Sequence, residues 1–348
     1  MQSPVLEIFV LSSTAFIIAF LLTPLLTHFL YKYKLGKQIR SEEFAPIFSK
    51  LHQKKMGTPT MGGIIIWFTV LFLAIVVYYL GVLFPESIFA QLNFLTRSET
   101  FLPLGALIAS ALVGLFDDWL GVRQIGPNGG GLKMKHKILV YTAIALVGAY
   151  WFYVKLGWDV LHIPFLGNFE VGWWYIPIFV FILVATSFSV NETDGLDGLA
   201  GGVLLVSFGA LCAIAFILGK YDLATFCGII VGSLLAFLWF NINPARFFMG
   251  DTGAMSLGIT LGIVAMLTNT ALFLPIISFV LVIESFSVII QLASKKLRHG
   301  KKVFLSSPIH HHLEAIGWSE PKIVMRFWVI SGVTAVLGLI LFLLDKTW

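Results

Sequence analysis

The chain has 348 residues, of which 58% are hydrophobic and 12% charged, about half the charged share of an ordinary soluble domain. So much apolar side chain cannot be hidden inside one water-soluble core, and the bilayer must act as part of the solvent. The net charge of +5 does not point to nucleic acid, because the basic residues sit in short loops between apolar runs.

Runs of about 17–25 apolar residues, enough to cross a membrane, recur along the whole chain. The first, near 5–30, has Glu7 as its first charge and no small-residue cleavage site after it, so it reads as a span and not as a signal peptide. A basic loop near 31–60 ends in the glycine-bearing GTPTMGG (57–63), which lacks the lysine ending of a P-loop. Spans near 61–83 and 101–118 follow, and the second closes on Asp117 and Asp118. After a loop to about 137 comes a span near 138–156. The segment 157–172 alternates apolar and polar residues around Pro164 and Gly167, which predicts a short hairpin. Spans near 173–190 and 199–218 flank NETDGLDGLAGG (191–202), with Asn191, Asp194 and Asp197. A span near 223–241 leads into FFMGDTGA (247–254), with Asp251. The last three spans, near 252–269, 271–294 and 324–344, enclose a mid-span Glu284 and the segment SPIHHHLEAIGWSE (307–320). Cys212 and Cys227 lie in apolar runs and read as packing residues.

Counting loops alternately puts the basic residues on one face. Lys32, Lys34, Lys37, Arg40, Lys50, Lys54 and Lys55 lie in the first loop, and Arg123, Lys133, Lys135 and Lys137 in the third. Arg246 lies in the seventh, and Lys295, Lys296, Arg298, Lys301, Lys302, Lys322 and Arg326 in the ninth. Of the 23 Lys and Arg residues, all but Arg97, Lys155, Lys220 and Lys346 are on that face. The positive-inside rule makes it cytoplasmic. The expectation is therefore an all-α integral membrane protein of about ten transmembrane helices, with both termini periplasmic. It forms one polytopic domain over 1–348, whose catalytic loops lie near 31–60, 117–137, 190–199, 241–253 and 295–325.

The acids gather at the same face. Asp117 and Asp118 sit at a helix C-terminus, where the dipole disfavours negative charge and the two repel each other. A bound divalent cation, nearby lysines or protonation would each resolve the conflict. Asn191, Asp194 and Asp197 are spaced three apart and would share a face if a helix starts within them. Thr193 or Asp194 could cap that helix, but a cap does not account for Asn191, Asp194 and Asp197 together. Asp251 precedes a helix, where it either caps the N-terminus or holds Mg²⁺ against a bound pyrophosphate. His310, His311 and His312 follow one another, so their side chains diverge by about 100° and cannot all reach one ion. Hydrogen bonds to phosphate suit them better than zinc. Phe248 is placed either to stack on a base or to pack at the interface. Glu284 must be paired or face a cavity.

GTPTMGG, GLFDDWLG, NETDGLDGLAGG, FLWFNINPARFFMGDTGA and SPIHHHLEAIGWSE, in this order from about residue 50 to 330, closely resemble the MraY family of phospho-N-acetylmuramoyl-pentapeptide transferases. The resemblance implies transfer of phospho-N-acetylmuramoyl-pentapeptide from its UDP carrier to undecaprenyl phosphate, with UMP released, in peptidoglycan synthesis at the bacterial inner membrane. It implies Mg²⁺ as cofactor and raises a homodimer. Position by position it implies Asp117, Asp118, Asp251, His310, His311 and His312 as catalytic residues, with Asp251 the metal ligand. Lys55, Thr60, Lys137, Asn191, Asp194, Asp197 and Phe248 fall at substrate-binding positions.

Three positions depart from the family pattern. Gly121 stands where a lysine is usual, with Arg123 or Lys133 as candidate substitutes. Glu192 replaces an apolar residue, and Ala254 replaces a serine. The rivals are a sister enzyme transferring N-acetylglucosamine-1-phosphate, and a transporter. The transporter would place its acids near the bilayer midplane and not at helix ends.

Overall fold

A computed structural model of the chain describes residues 4–36, 55–96, 99–126 and 130–345. Lys37, Arg40, Lys50, Lys54, Arg97, Lys346 and part of the loop after Gly126 lie outside them. The elements are α1 (Pro4–Lys32), α2 (Ile64–Leu83), α3 (Ile88–Gln91), α4 (Phe101–Val122), α5 (Met134–Tyr150), β1 (Val160–Ile163), β2 (Gly167–Glu170), α6 (Tyr175–Thr193), α7 (Leu199–Ile217), α8 (Tyr221–Asn241), α9 (Gly250–Leu267), α10 (Leu274–Ile277), α11 (Phe279–Leu297), α12 (Ile309–Ala315) and α13 (Glu320–Leu344). Among the described residues nine helices are long and apolar enough to cross a membrane, so this is a multi-pass membrane protein. The predicted hairpin is present as antiparallel β1–β2, with Leu161 opposite Phe169.

The run 271–294 is not one continuous helix. The chain makes the four-residue α10, breaks at Ser278 and restarts as α11. Ser278 turns its hydroxyl onto that of Ser207 in α7 (2.8 Å). Helix α11 is also polar along one side. Ser287, Gln291 and Ser294 follow Glu284 at helical spacing, and all four are buried. Gln291 Oε1 accepts the N–H of Val303 and of Phe304, both at 3.0 Å, and Ser294 donates to the Lys301 carbonyl. That stripe grips the segment leading to the three histidines.

Helix α9 is the central pillar, buried along nearly its whole length. In lipid no hydrophobic force drives helices together, so close packing depends on small residues. A Cβ on Gly253 would meet Gly63 Cα at 2.9 Å, and one on Gly258 would meet Ser187 Cα of α6 at 2.6 Å. From the other side, a Cβ on Gly114 of α4 would lie 2.4 Å from the Asp251 carbonyl. Glycine at these points lets α2, α4 and α6 close directly onto α9, so side chains from all of them meet at its N-terminus. Some buried hydroxyls in the spans turn back to their own helix, as with Ser233 to Ile229 and Thr260 to Ser256, which satisfies them where water is absent.

The far end of the bundle has its own lock. His162 of β1 bonds Asp345 (2.8 Å) and Asn168 (2.9 Å), and its backbone N–H donates to Asn269 (3.0 Å). The hairpin, the end of α9 and the end of α13 are thereby tied together.

Candidate active site

The residues singled out in the sequence form three adjoining groups at one end of the bundle. In the first, Lys137 of α5 lies 2.7 Å from Asp117 Oδ2 and 2.8 Å from Asp251 Oδ2. Asp117 is 2% exposed. Its Oδ1 accepts the Leu132 N–H, and Asn191 at the end of α6 donates to Asp251 Oδ1. The repulsion expected of neighbouring acids is thus relieved by a half-buried lysine and by N–H donors.

Asp118 serves differently. Its carboxylate accepts the backbone N–H of Asp251 (3.1 Å) and of Thr252 (3.0 Å), and the Thr60 hydroxyl (3.2 Å). Asp194 accepts the N–H of Gly250 (3.1 Å). The first turn of α9 is therefore capped by acids from two other segments, which satisfy donors that a helix start leaves open. Asp251 is not the cap, since its own carboxylate faces Lys137 and Asn191. Gly250 has φ of +75°, and a Cβ there would strike Asp118 Oδ2 at 2.5 Å and Thr60 Oγ1 at 2.6 Å. Glycine is required on both counts.

Asn191, Asp194 and Asp197 do not share a helix face. Helix α6 ends at Thr193, so the three reach Asp251, Gly250 and Lys55 respectively. Neither Asp194 nor Asp197 caps α7, which begins at Gly198 with no side-chain cap.

The second group centres on Lys55. Its ammonium lies 2.6 Å from Asp197 Oδ1 and 2.5 Å from Glu320 Oε1, and 5.8 Å from the Phe248 ring centroid. Asn243 and the Ala245 N–H each donate to Asp197 Oδ2 at 3.0 Å. Residues 59–63 run alongside 248–249, with Phe248 N bonded to Pro59 O and Gly62 N to Phe248 O, each at 2.8 Å. That pairing sets Thr60 against Asp118, so the two groups share one wall.

The third group is the histidine segment, whose three rings take different partners although those of His310 and His311 pack edge to face, with centroids 4.1 Å apart. His310 is buried, with Nδ1 2.9 Å from Glu284 Oε2. His311 Nδ1 lies 2.7 Å from Glu314 Oε2. His312 Nδ1 accepts the Leu305 N–H at 3.2 Å, and its ring lies against Phe304, away from the acids. His310 also packs on Gly195, where a Cβ would come within 2.2 Å of its Nε2.

Among the described residues no cluster of three or more His, Cys, Asp or Glu side chains is arranged to hold a metal. Asp117 and Asp251 nonetheless aim hard oxygen atoms at one point, where the Lys137 ammonium now places a positive charge. A small divalent cation that takes one or two carboxylates and fills its shell with water and phosphate oxygens fits this donor set.

Residues 100–269 match the Glycosyl transferase family 4 profile. Over 346 residues the chain is 38% identical to a phospho-N-acetylmuramoyl-pentapeptide-transferase of Chloroflexus aggregans, covering 96% of this chain and 89% of that one. It is 42% identical to one of Geobacillus sp. strain WCH70, covering 93% and 94%, and 41% identical to one of Geobacillus kaustophilus, covering 97% and 98%. The chain belongs to the phospho-N-acetylmuramoyl-pentapeptide-transferase family.

Within this member of the family the departure at Gly121 has a structural counterpart. Neither proposed substitute reaches the acids. Arg123 lies over the Trp119 ring at 5.9 Å, and Lys133 is exposed at the start of α5. Lys137, one turn further on, supplies the cation. Glu320 and Asn243 were missed in the sequence. Glu320 also accepts the Asp197 N–H at 2.7 Å, and Asn243 spans Asp197 and Glu320. The available signal was the polar pair Asn241 and Asn243 at the end of a long apolar run.

Proposed function

We propose that this chain transfers phospho-N-acetylmuramoyl-pentapeptide from UDP-N-acetylmuramoyl-pentapeptide to undecaprenyl phosphate, giving lipid I and UMP. It does so from the cytoplasmic face of the bacterial inner membrane, with both termini in the periplasm. The observation that carries the reading is the bridge from Lys137 to Asp117 and Asp251, adjoining the pocket formed by Lys55, Asp197 and Phe248. The orientation is supported by the basic loops flanking this end of the bundle.

Phosphoryl transfer between two anions is catalysed mainly by positioning and charge neutralisation. An oxygen of the lipid phosphate attacks the sugar-bearing phosphorus of the donor, and the bond to the bridging oxygen breaks, so UMP departs with that oxygen. Asp117 takes the proton from the lipid phosphate. Lys137 neutralises charge between the acids, and Asn191 orients Asp251. Asp118 and Asp194 hold the start of α9 by accepting its first N–H groups, and so fix where Asp251 stands. Lys55, Asp197, Thr60 and Phe248 receive the nucleotide, and His310 lies where the two halves of the site meet. Asp251 and Asp117 would hold Mg²⁺, which would supply further charge neutralisation when bound.

The test is UMP release by purified protein given the muramoyl-pentapeptide donor, undecaprenyl phosphate and Mg²⁺, with UDP-N-acetylglucosamine as parallel donor. Release with the muramoyl donor alone, lost on adding EDTA, is the expected result. Release with the glucosamine donor alone would move the chain to the sister activity. Release with neither, from folded protein, would overturn the reading.

A further inference from the structure

Glu284 is fully buried on α11, the one acid in that helix's polar stripe. An acid in such a place is expensive unless it is paired and put to use. Its partner is the first of the three histidines, with Glu284 Oε2 and His310 Nδ1 2.9 Å apart. His310 is the second residue of α12, so Glu284 meets that helix at its start. One side chain therefore holds both the start of α12 and the ring it carries.

The pairing dictates chemistry as well as position. In its ionised form Glu284 has no proton to give, and in that form Nδ1 carries the hydrogen and donates it. The opposite edge of the ring, Nε2, then faces Gly195. Gly195 lies between Asp194, which holds Gly250 beside the acid pair, and Asp197, which holds Lys55. His310 is thus aimed at the short segment joining the two halves of the site. The polar stripe of Gln291 and Ser294, gripping residues 301–304, braces the same segment from the same helix.

We propose that Glu284, held as the carboxylate, is a positioning residue for the transfer reaction: it fixes the ring and tautomer of His310, whose Nε2 edge braces the Gly195 segment between the acid centre and the Lys55 group. This rests on the transferase reading above. An acid that orients a histidine without touching substrate raises turnover through the histidine, because the wrong tautomer leaves the geometry intact and removes the chemistry. Glu284→Gln preserves volume, but its amide offers Nδ1 a donor as readily as an acceptor.

Two readouts test this. In protein labelled with ¹⁵N-histidine and held in lipid bilayers, the imidazole signals lost in His310→Gln identify His310. Wild type is expected to show hydrogen on Nδ1, and Glu284→Gln to lose that signature. In steady-state UMP release Glu284→Gln is expected to lower kcat by about 10²-fold while the KM for the uridine donor stays within about twofold. Wild-type protein with hydrogen on Nε2 alone would overturn the proposal, and so would a Glu284→Gln enzyme with unchanged kcat. If Glu284→Gln does not fold, the wild-type tautomer decides. If wild type releases no UMP with any donor, the transferase reading falls, and the spectrum separately reports whether Glu284 sets the tautomer.

Discussion

The Asp118 carboxylate accepts the backbone N–H of Asp251 at 3.1 Å, so one acid of the site holds the helix on which another is mounted. Asp118 is a cap in trans. Its loss is expected to act first on the placement of Asp251, and only through that on chemistry. Asp118→Ala should destabilise the protein by about 2 kcal/mol, the scale of a lost cap and of charged hydrogen bonds. Asp118→Asn, which keeps one acceptor, should lose less. Thermal unfolding in detergent ranks the two, and equal midpoints for Asp118→Ala and wild type would remove the capping role.

Asp117→Asn and Asp251→Ala should each abolish UMP release while leaving the protein folded in detergent. Either variant retaining near-normal turnover would take that residue out of the reaction.

Lys137→Met leaves Asp117 and Asp251 facing each other with no cation between them. Removing one member of a buried charged group leaves the rest uncompensated. Turnover should fall by about 10²- to 10³-fold, the size expected for a lost electrostatic stabiliser, and Lys137→Arg should retain more of it. Saturating-donor rates compare the two.

Lys55 and Glu320 act on binding more than on chemistry. Lys55→Ala should raise the KM for the uridine donor by at least about tenfold, with kcat changed far less. Glu320→Gln keeps an acceptor for the Asp197 N–H and should shift KM in the same direction by less. A change confined to kcat would move both residues into the chemical step.

Gly195→Ala should lower turnover sharply, because its methyl group would meet the His310 ring at 2.2 Å, whereas Gly105→Ala meets nothing within 4 Å and serves as the control. Equal effects in the two variants would remove the link between the histidine segment and the loop at 194–198.

The acids could be found in the sequence because membrane-depth carboxylates stand out against an apolar background, and because Asp117, Asp118 and Asp251 close or open apolar runs. Which cation meets them could not be read. Lys133 and Lys137 are one helical turn apart and equally basic, and the choice depends on how α5 leans on α4. Glu320 was hidden for a similar reason. Beside Ser319 it looks like an ordinary helix start, and Lys55 lies 265 positions away along the chain. Hydropathy saw the apolar run at 271–294 but not its break at Ser278, since an interruption held by one hydroxyl leaves average polarity unchanged. The same averaging hid the stripe of Glu284, Gln291 and Ser294, whose meaning is periodic.

Helix α13 begins at Glu320, inside the Lys55 pocket, and the residue after its end, Asp345, is bonded to His162 and to the Phe165 N–H. Its 25 residues at 1.5 Å each make a strut of about 37 Å, longer than the roughly 30 Å hydrocarbon layer. A strut pinned at both ends cannot slide to suit a thinner or thicker bilayer. It can only lean, and any lean moves Glu320 relative to Lys55. One helix thus ties the Lys55 group at one end of the bundle to the hairpin at the other.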